Sequence, residues 1–167
     1  MTTPSTEYRT IPLTQGQETI VDAADYDLFS RFRWCALWCP DRQSFCAARN
    51  VRRMIGKGYT TSYLHREILG LQRGDYRTAD HRNHDTLDNR RKNLRIATNS
   101  QQQQNKRTQK NNLLGIKGVS CRKGRFIARI MVNGKALHLG SRRTAEEAHL
   151  LYCEFAKQFH GQFSCLD

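Results

Sequence analysis

The alternation of apolar and polar positions changes character along the chain and predicts two groups of elements separated by a polar stretch. Residues 11–13 and 19–21 are short β-favouring runs on either side of Gly16, which predicts two small strands joined by a turn. Residues 25–32 carry an amphipathic pattern long enough for one or two helical turns. Residues 33–38 and 45–53 read as strands with Pro40 and Asp41 in their connection, and the aromatic stretch from Tyr59 runs into a short helix at 64–69. This half predicts a β-rich platform behind a polar segment, Met1 to Thr10, expected to fray.

From Gly115 onward the pattern is plainer. Residues 117–122, 125–132 and 135–139 predict three strands. Asn133-Gly134 is a two-residue hairpin signal, since both residues tolerate φ > 0, and Lys123-Gly124 marks a second turn. Thr144-Ala145-Glu146-Glu147 fits a capping box, and Ala148, Leu151, Tyr152, Phe155 and Phe159 follow at helical spacing up to Gly161. On the middle strand Phe126, Ala128, Ile130 and Val132 share the face expected to meet this helix. Arg125 and Arg129, with Ile127 and Met131, share the opposite face.

Between these halves, residues 80–107 are polar and basic. Arg90, Arg91, Lys92, Arg95, Lys106 and Arg107 occur with no acid among them, and Gln101 to Gln104 are consecutive glutamines. Leu87, Leu94, Ile96 and Ala97 are spaced through the stretch as anchors, which argues for folded structure rather than disorder. The whole chain of 167 residues has 28 Lys+Arg against 15 Asp+Glu, a net charge of +13. A sequence pI near 9.9 is the footprint expected of a nucleic-acid binder. Hydrophobic residues make up 38%, fewer than the usual ~45–50%, so the core is thin and divided. No apolar run approaches the ~20 residues of a membrane span. The polar N-terminus does not read as a signal peptide, so an intracellular protein with no membrane partner is expected. Cys35, Cys39, Cys46, Cys121, Cys153 and Cys165 are expected to stay reduced. The Cys35-x₃-Cys39 spacing with Cys46 departs from the paired C-x₂-C knuckles of structural zinc sites.

The segment from Asp80-His81 through Leu87-Asp88-Asn89 and Asn93-Leu94-Arg95 to residues 100–107 resembles an HNH nuclease cassette. The resemblance covers roughly residues 60–107. It implies a ββα-metal fold: a strand delivering Asp-His, a loop, a second strand, then a helix. It further implies that Asp80 binds one Mg²⁺ or Mn²⁺ ion and that His81 deprotonates the attacking water. Asn93 would fix the loop and the histidine. Asp suits a hard cation, and a histidine can accept a proton near neutral pH. The family's last metal ligand aligns with Gln102, a departure from its His or Asn; Asn105, three residues on, shares the helix face. The family also carries a His-Arg pair near the phosphate, here His65-Arg66, and Arg91 and Arg95 are further candidate DNA contacts.

Residues 115–161 resemble an APETALA2-type DNA-binding domain through Lys117-Gly118-Val119, residues 124–130, Leu137-His138-Leu139-Gly140 and residues 144–148. That domain reads the major groove of double-stranded DNA with its sheet. The resemblance makes Lys117, Ser120, Arg122, Arg125, Arg129 and His138 candidate contacts, an arginine there pairing with guanine or gripping phosphate. Phe126 and His138 stand where the plant family has tryptophans. The expected organisation is α+β: platform and cassette over 1–107 (cassette about 78–107), a linker at 108–114, and a sheet-plus-helix module over 115–167. The expected function is a site-specific, metal-dependent DNA endonuclease of the HNH homing type, acting as a monomer. Its rival is a non-catalytic DNA-binding regulator on the same chassis. RNA binding lacks a stacking-aromatic signature.

Overall fold

In the computed structural model, residues 7–40, 42–108 and 112–166 are described. Residues 1–6 of the segment expected to fray, Asp41 of the first connection, and 109–111 of the expected linker lie outside them. The architecture is α+β, with small antiparallel sheets and short helices. The chain divides into two compact units, Met1–Ala97 and Thr98–Asp167.

In the first unit β1 (Tyr8–Pro12) pairs antiparallel with β2 (Glu18–Asp22). Tyr8 to Thr10, expected to fray, are strand because each finds a partner, Tyr8 opposite Asp22 and Thr10 opposite Ile20. The turn runs through Gln15 and Gly16, both with positive φ. α1 (Ala23–Phe29) follows, and a three-stranded sheet has the order β3 (Cys35–Cys39), β4 (Ser44–Arg52), β5 (Tyr59–Tyr63). After α2 (Leu64–Ile68) comes a hairpin of β6 (Thr78–His81) and β7 (Leu94–Ala97), with Asp80 opposite Arg95. One apolar cluster ties these pieces together: Ile11, Val21, Phe29, Trp34, Ala47, Leu64, Ile68 and Leu94.

The long connection between β6 and β7 is not a free loop. Ile20 N donates to Leu87 O (2.8 Å) and Asn89 N donates to Ile20 O (2.8 Å), so residues 87–89 lie along β2 as a parallel bridge. Backbone groups that would otherwise need water are thereby satisfied.

The second unit begins with α3 (Asn99–Asn105). Thr98 caps it reciprocally: its Oγ1 accepts from Gln101 N, and Gln101 Oε1 accepts from Thr98 N. The boundary between units thus falls before this helix, whereas the sequence places the linker after it. α3 packs on a 3₁₀ turn at Gly161–Phe163, and the Lys117 ammonium donates to the carbonyls of Gln104 (2.8 Å) and Lys106 at its end. The sheet has the order β10 (Lys135–Arg142), β9 (Arg125–Val132), β8 (Val119–Arg122), and α4 (Ala145–His160) covers it. Both hairpin turns have left-handed central residues, Lys123-Gly124 and Asn133-Gly134. β10 outruns its predicted end at Leu139 because a bulge between His138 and Gly140 lets Leu139 join the core and pairing resume.

The capping box of Thr144 and Glu147 forms as expected. The buried residues of α4 are Ala145, Ala148, Tyr152, Ala156 and His160, with Leu151 and Phe155 packed half-buried beside them. Phe159, expected inside, is 44% exposed and stacks on Phe155. Alanines bring the helix close to the strands. At Gly118 (φ +74) a Cβ would lie 2.0 Å from the Tyr152 ring, so only glycine fits there.

Candidate active site and nucleic-acid interface

β6 ends on Asp80 and His81, both buried, and the docked 82–93 segment closes over them. His81 Nε2 lies 3.1 Å from Asn89 Oδ1, while Asn89 Nδ2 donates to Thr19 Oγ1 (2.7 Å). The Thr19 hydroxyl in turn donates to Leu87 O (2.8 Å). The chain of donors is therefore directional. Thr19 uses its only proton on Leu87, so it must accept from the Asn89 amide; this turns the Asn89 oxygen toward His81 and puts the imidazole proton on Nε2. In this tautomer the ring's lone pair belongs to Nδ1. Burial pushes the His81 pKa below its ordinary value, against the opposing hydrogen bond that the ring donates to Asn89 Oδ1. The ring is thus a neutral base held in one tautomer.

Asn93 holds the loop and not the histidine. Its Oδ1 accepts from Asn83 N (3.0 Å) and its Nδ2 donates to Asp88 O (2.7 Å). Asp88 sits inside the loop, accepting from Asn83 Nδ2 and from both arms of Arg90, contacts that hold its carboxyl below the usual range. The residue that orients His81 is Asn89, which sequence reasoning passed over. Its only sequence signal is its place in Leu87-Asp88-Asn89; the β2 partner that fixes it lies seventy residues away.

Several expected DNA contacts are employed inside the unit. Arg95 is 6% exposed and clasps Asp80, with Nε and Nη2 each 2.7 Å from Oδ2, so it is a core ion pair and not a surface cation. Arg91 is half-exposed but bidentate to the buried Asp25 (2.8 and 2.7 Å), while its backbone N donates to Asp22. Arg66 donates to Gln72 O and Arg77 O and so holds the 72–77 loop. His65 is buried, stacked on Tyr63 and edge-on to His81 (5.2 Å between centroids), which removes it from any phosphate-facing surface. Burial, and then its neighbour His81, drive its pKa well below the ordinary value.

Gln102 and Asn105 lie on α3 in the second unit; Gln102 is half-buried and Asn105 buried. Asp80 and His81 belong to the first. Among the described residues no three His, Cys, Asp or Glu side chains converge. Cys39 and Cys46 do meet, with their sulfurs 3.3 Å apart, and burial pushes the Cys46 thiol up to about 12. Cys35 stands at the other end of β3, opposite Ala48, so the three sulfurs do not converge. A carboxylate suits a hard cation such as Mg²⁺ in kind, but the Asp80 carboxylate is buried and its Oδ2 is held by Arg95 at 2.7 Å.

In the second unit the sheet face turned away from α4 presents Ser120 and Arg122 from β8, Arg125 and Arg129 from β9, and His138 from β10, all exposed. Register places them together: Arg122 pairs with Arg125 and His138 with Arg129. Arg125 Nε donates to Ser141 Oγ (3.2 Å), which leaves the end of its guanidinium outward. Lys117 does not join this face, because its ammonium is held on the end of α3. Compared with protein-family models, with curated proteins and with solved structures, the chain matches none.

Proposed function

We propose that the chain is a metal-dependent, site-specific DNA endonuclease of the HNH homing type. In this reading His81 is the general base and the outer sheet face of the second unit binds the major groove. The observation that carries the reading is the relay from Leu87 through Thr19 and Asn89 to His81. It leaves a buried, neutral imidazole with its basic atom defined, the form a general base needs at neutral pH. Nδ1 accepts a proton as the water oxygen adds to phosphorus and the ester P–O bond breaks. Asp80 would hold the divalent ion, which when bound supplies Lewis-acid stabilisation of the phosphate and leaving oxygen. Asn93 keeps the 82–93 segment closed over the base.

The grip of Arg95 on Asp80 favours the second reading, a DNA-binding regulator whose cassette serves as a clamp. Plasmid nicking with and without Mg²⁺ or Mn²⁺ separates the two. Under the first reading metal-dependent nicking occurs, and His81→Ala lowers its rate about 10²–10⁴-fold while duplex affinity stays near the parental value. A variant that nicks at the parental rate removes His81 from the mechanism, and a parent that binds but never nicks establishes the regulator. Arg125→Ala with Arg129→Ala is expected to flatten site preference in a randomised library, at ~1–3 kcal/mol per lost bidentate base contact.

A further inference from the structure

The β4–β5 hairpin ends in a tip that the first unit's core does not use. Arg52 pairs with Tyr59, and Arg53 N donates to Gly58 O (3.0 Å), which leaves Met54, Ile55, Gly56 and Lys57 across the end. Met54 is 101% and Ile55 92% exposed, the two fullest exposures of large apolar side chains among the described residues of this unit. Gly56 and Gly58 take positive φ with nothing within 4 Å of where a Cβ would stand, so the turn is not packed against the rest of the unit at these two positions. Arg52, Arg53 and Lys57 flank the pair, all exposed. From Arg42 to Arg66 the sequence has no acid. Arg49 on Glu67 and Arg66 on the 72–77 loop have duties away from the tip, while at the tip Arg53 Nε donates to Tyr59 O (3.2 Å) and its side chain stays exposed.

We propose that this tip is a DNA wedge: Met54 and Ile55 insert between stacked base pairs of duplex DNA while Arg52, Arg53 and Lys57 engage the flanking phosphates. The proposal rests on reading the chain as a DNA-binding protein and adds a deforming contact that neither the cassette nor the second unit's sheet supplies. Apolar side chains inserted at a base step, with cations beside them, are how many architectural proteins unstack and kink the duplex. Three features fit that partner. The tip is narrow, two apolar side chains wide, which suits one base step and is small for a membrane-anchoring face. It is carried on a paired two-stranded ribbon, so it is presented stiffly. Its surroundings have one sign of charge, complementary to phosphate.

The test needs no knowledge of the target sequence. Closed-circular plasmid is relaxed by a metal-independent topoisomerase in EDTA in the presence of the full-length protein, and the linking-number distribution is read after the protein is removed. The parental protein is expected to shift the distribution, because wedging unwinds the duplex. The double variant Met54→Ser, Ile55→Ser is expected to leave it unshifted. Its plasmid affinity should weaken by no more than about threefold, because phosphate contacts carry most of the binding. An unchanged melting temperature shows that the exposed tip can be altered without unfolding. Equal shifts from parent and variant, or a parent that binds without any shift, overturn the wedge and leave the DNA-binding reading standing. A parent that fails to bind plasmid at low salt overturns that reading itself. Binding to anionic phospholipid vesicles that depends on Met54 and Ile55, with no change in linking number, assigns the tip to a lipid surface and overturns the wedge as well.

Discussion

Replacing Arg95 with methionine separates a core ion pair from a DNA contact. The Arg95 side chain is 6% exposed, and both Nε and Nη2 lie 2.7 Å from Asp80 Oδ2, on the paired strands β6 and β7. Methionine keeps most of the arginine stem's volume but leaves the Asp80 carboxylate buried without its cation. Breaking a buried pair from one side costs about 3–5 kcal/mol, because the remaining charge stays desolvated. In a unit of this size 1 kcal/mol moves the melting temperature by roughly 4–8 °C, so a fall of ~12 °C or more is expected in EDTA. Removing both charges, Asp80→Asn with Arg95→Met, should recover most of the loss, since no carboxylate is then stranded. The assay is thermal or urea unfolding of the full chain, with Arg77→Met as the exposed control expected to leave the midpoint in place. DNA binding supplies the opposing check. If Arg95 gripped a phosphate, its loss would reduce the slope of log affinity against log salt by about 0.9. A melting temperature within ~2 °C of the parent's, together with a reduced salt slope, would refute the buried-pair argument, since surface substitutions typically stay within about 0.5 kcal/mol.

Two further outcomes follow from the geometry. His65 and His81 both have pKa values pushed below the ordinary 6.5 by burial, so the unfolded chain takes up protons before the folded one does. Their stabilising contribution is therefore intact above about pH 6.5 and is lost as pH falls from there through the folded values; the urea midpoint should fall from pH 7 to 5, and fall less in His65→Phe, and an equal fall in the two proteins contradicts this. Gly118→Ala should destabilise the second unit by about 2–4 kcal/mol, combining left-handed strain with the clash on Tyr152. Gly124→Ala, at φ +70 with open space around it, should cost only the strain, about 1–2 kcal/mol; equal melting shifts for the two variants would show that the Tyr152 contact does not matter.

The second unit was the more legible half because its signals are local. Asn133-Gly134 and the Thr144 capping box act within a few residues of themselves, and period-2 alternation sorted Arg125 and Arg129 from Ala128 and Ile130 without reference to the rest of the chain. Sequence alone also set Asp80 and His81 together at a strand end and put cations in excess. It did not determine which of those cations face outward. That depends on where carboxylates from other elements come to lie, and Asp25, Asp80 and the carbonyls at the end of α3 take up Arg91, Arg95 and Lys117. The same holds for the base. Asn89 rather than Asn93 fixes His81, because the 82–93 segment pairs with β2 and brings Thr19 beneath the Asn89 amide, a contact spanning seventy residues that no local pattern encodes. The inner face of α4 was likewise decided by packing distance: helical spacing admits Phe159 and Ala156 alike, and the close approach required at Gly118 and Tyr152 selects the alanine.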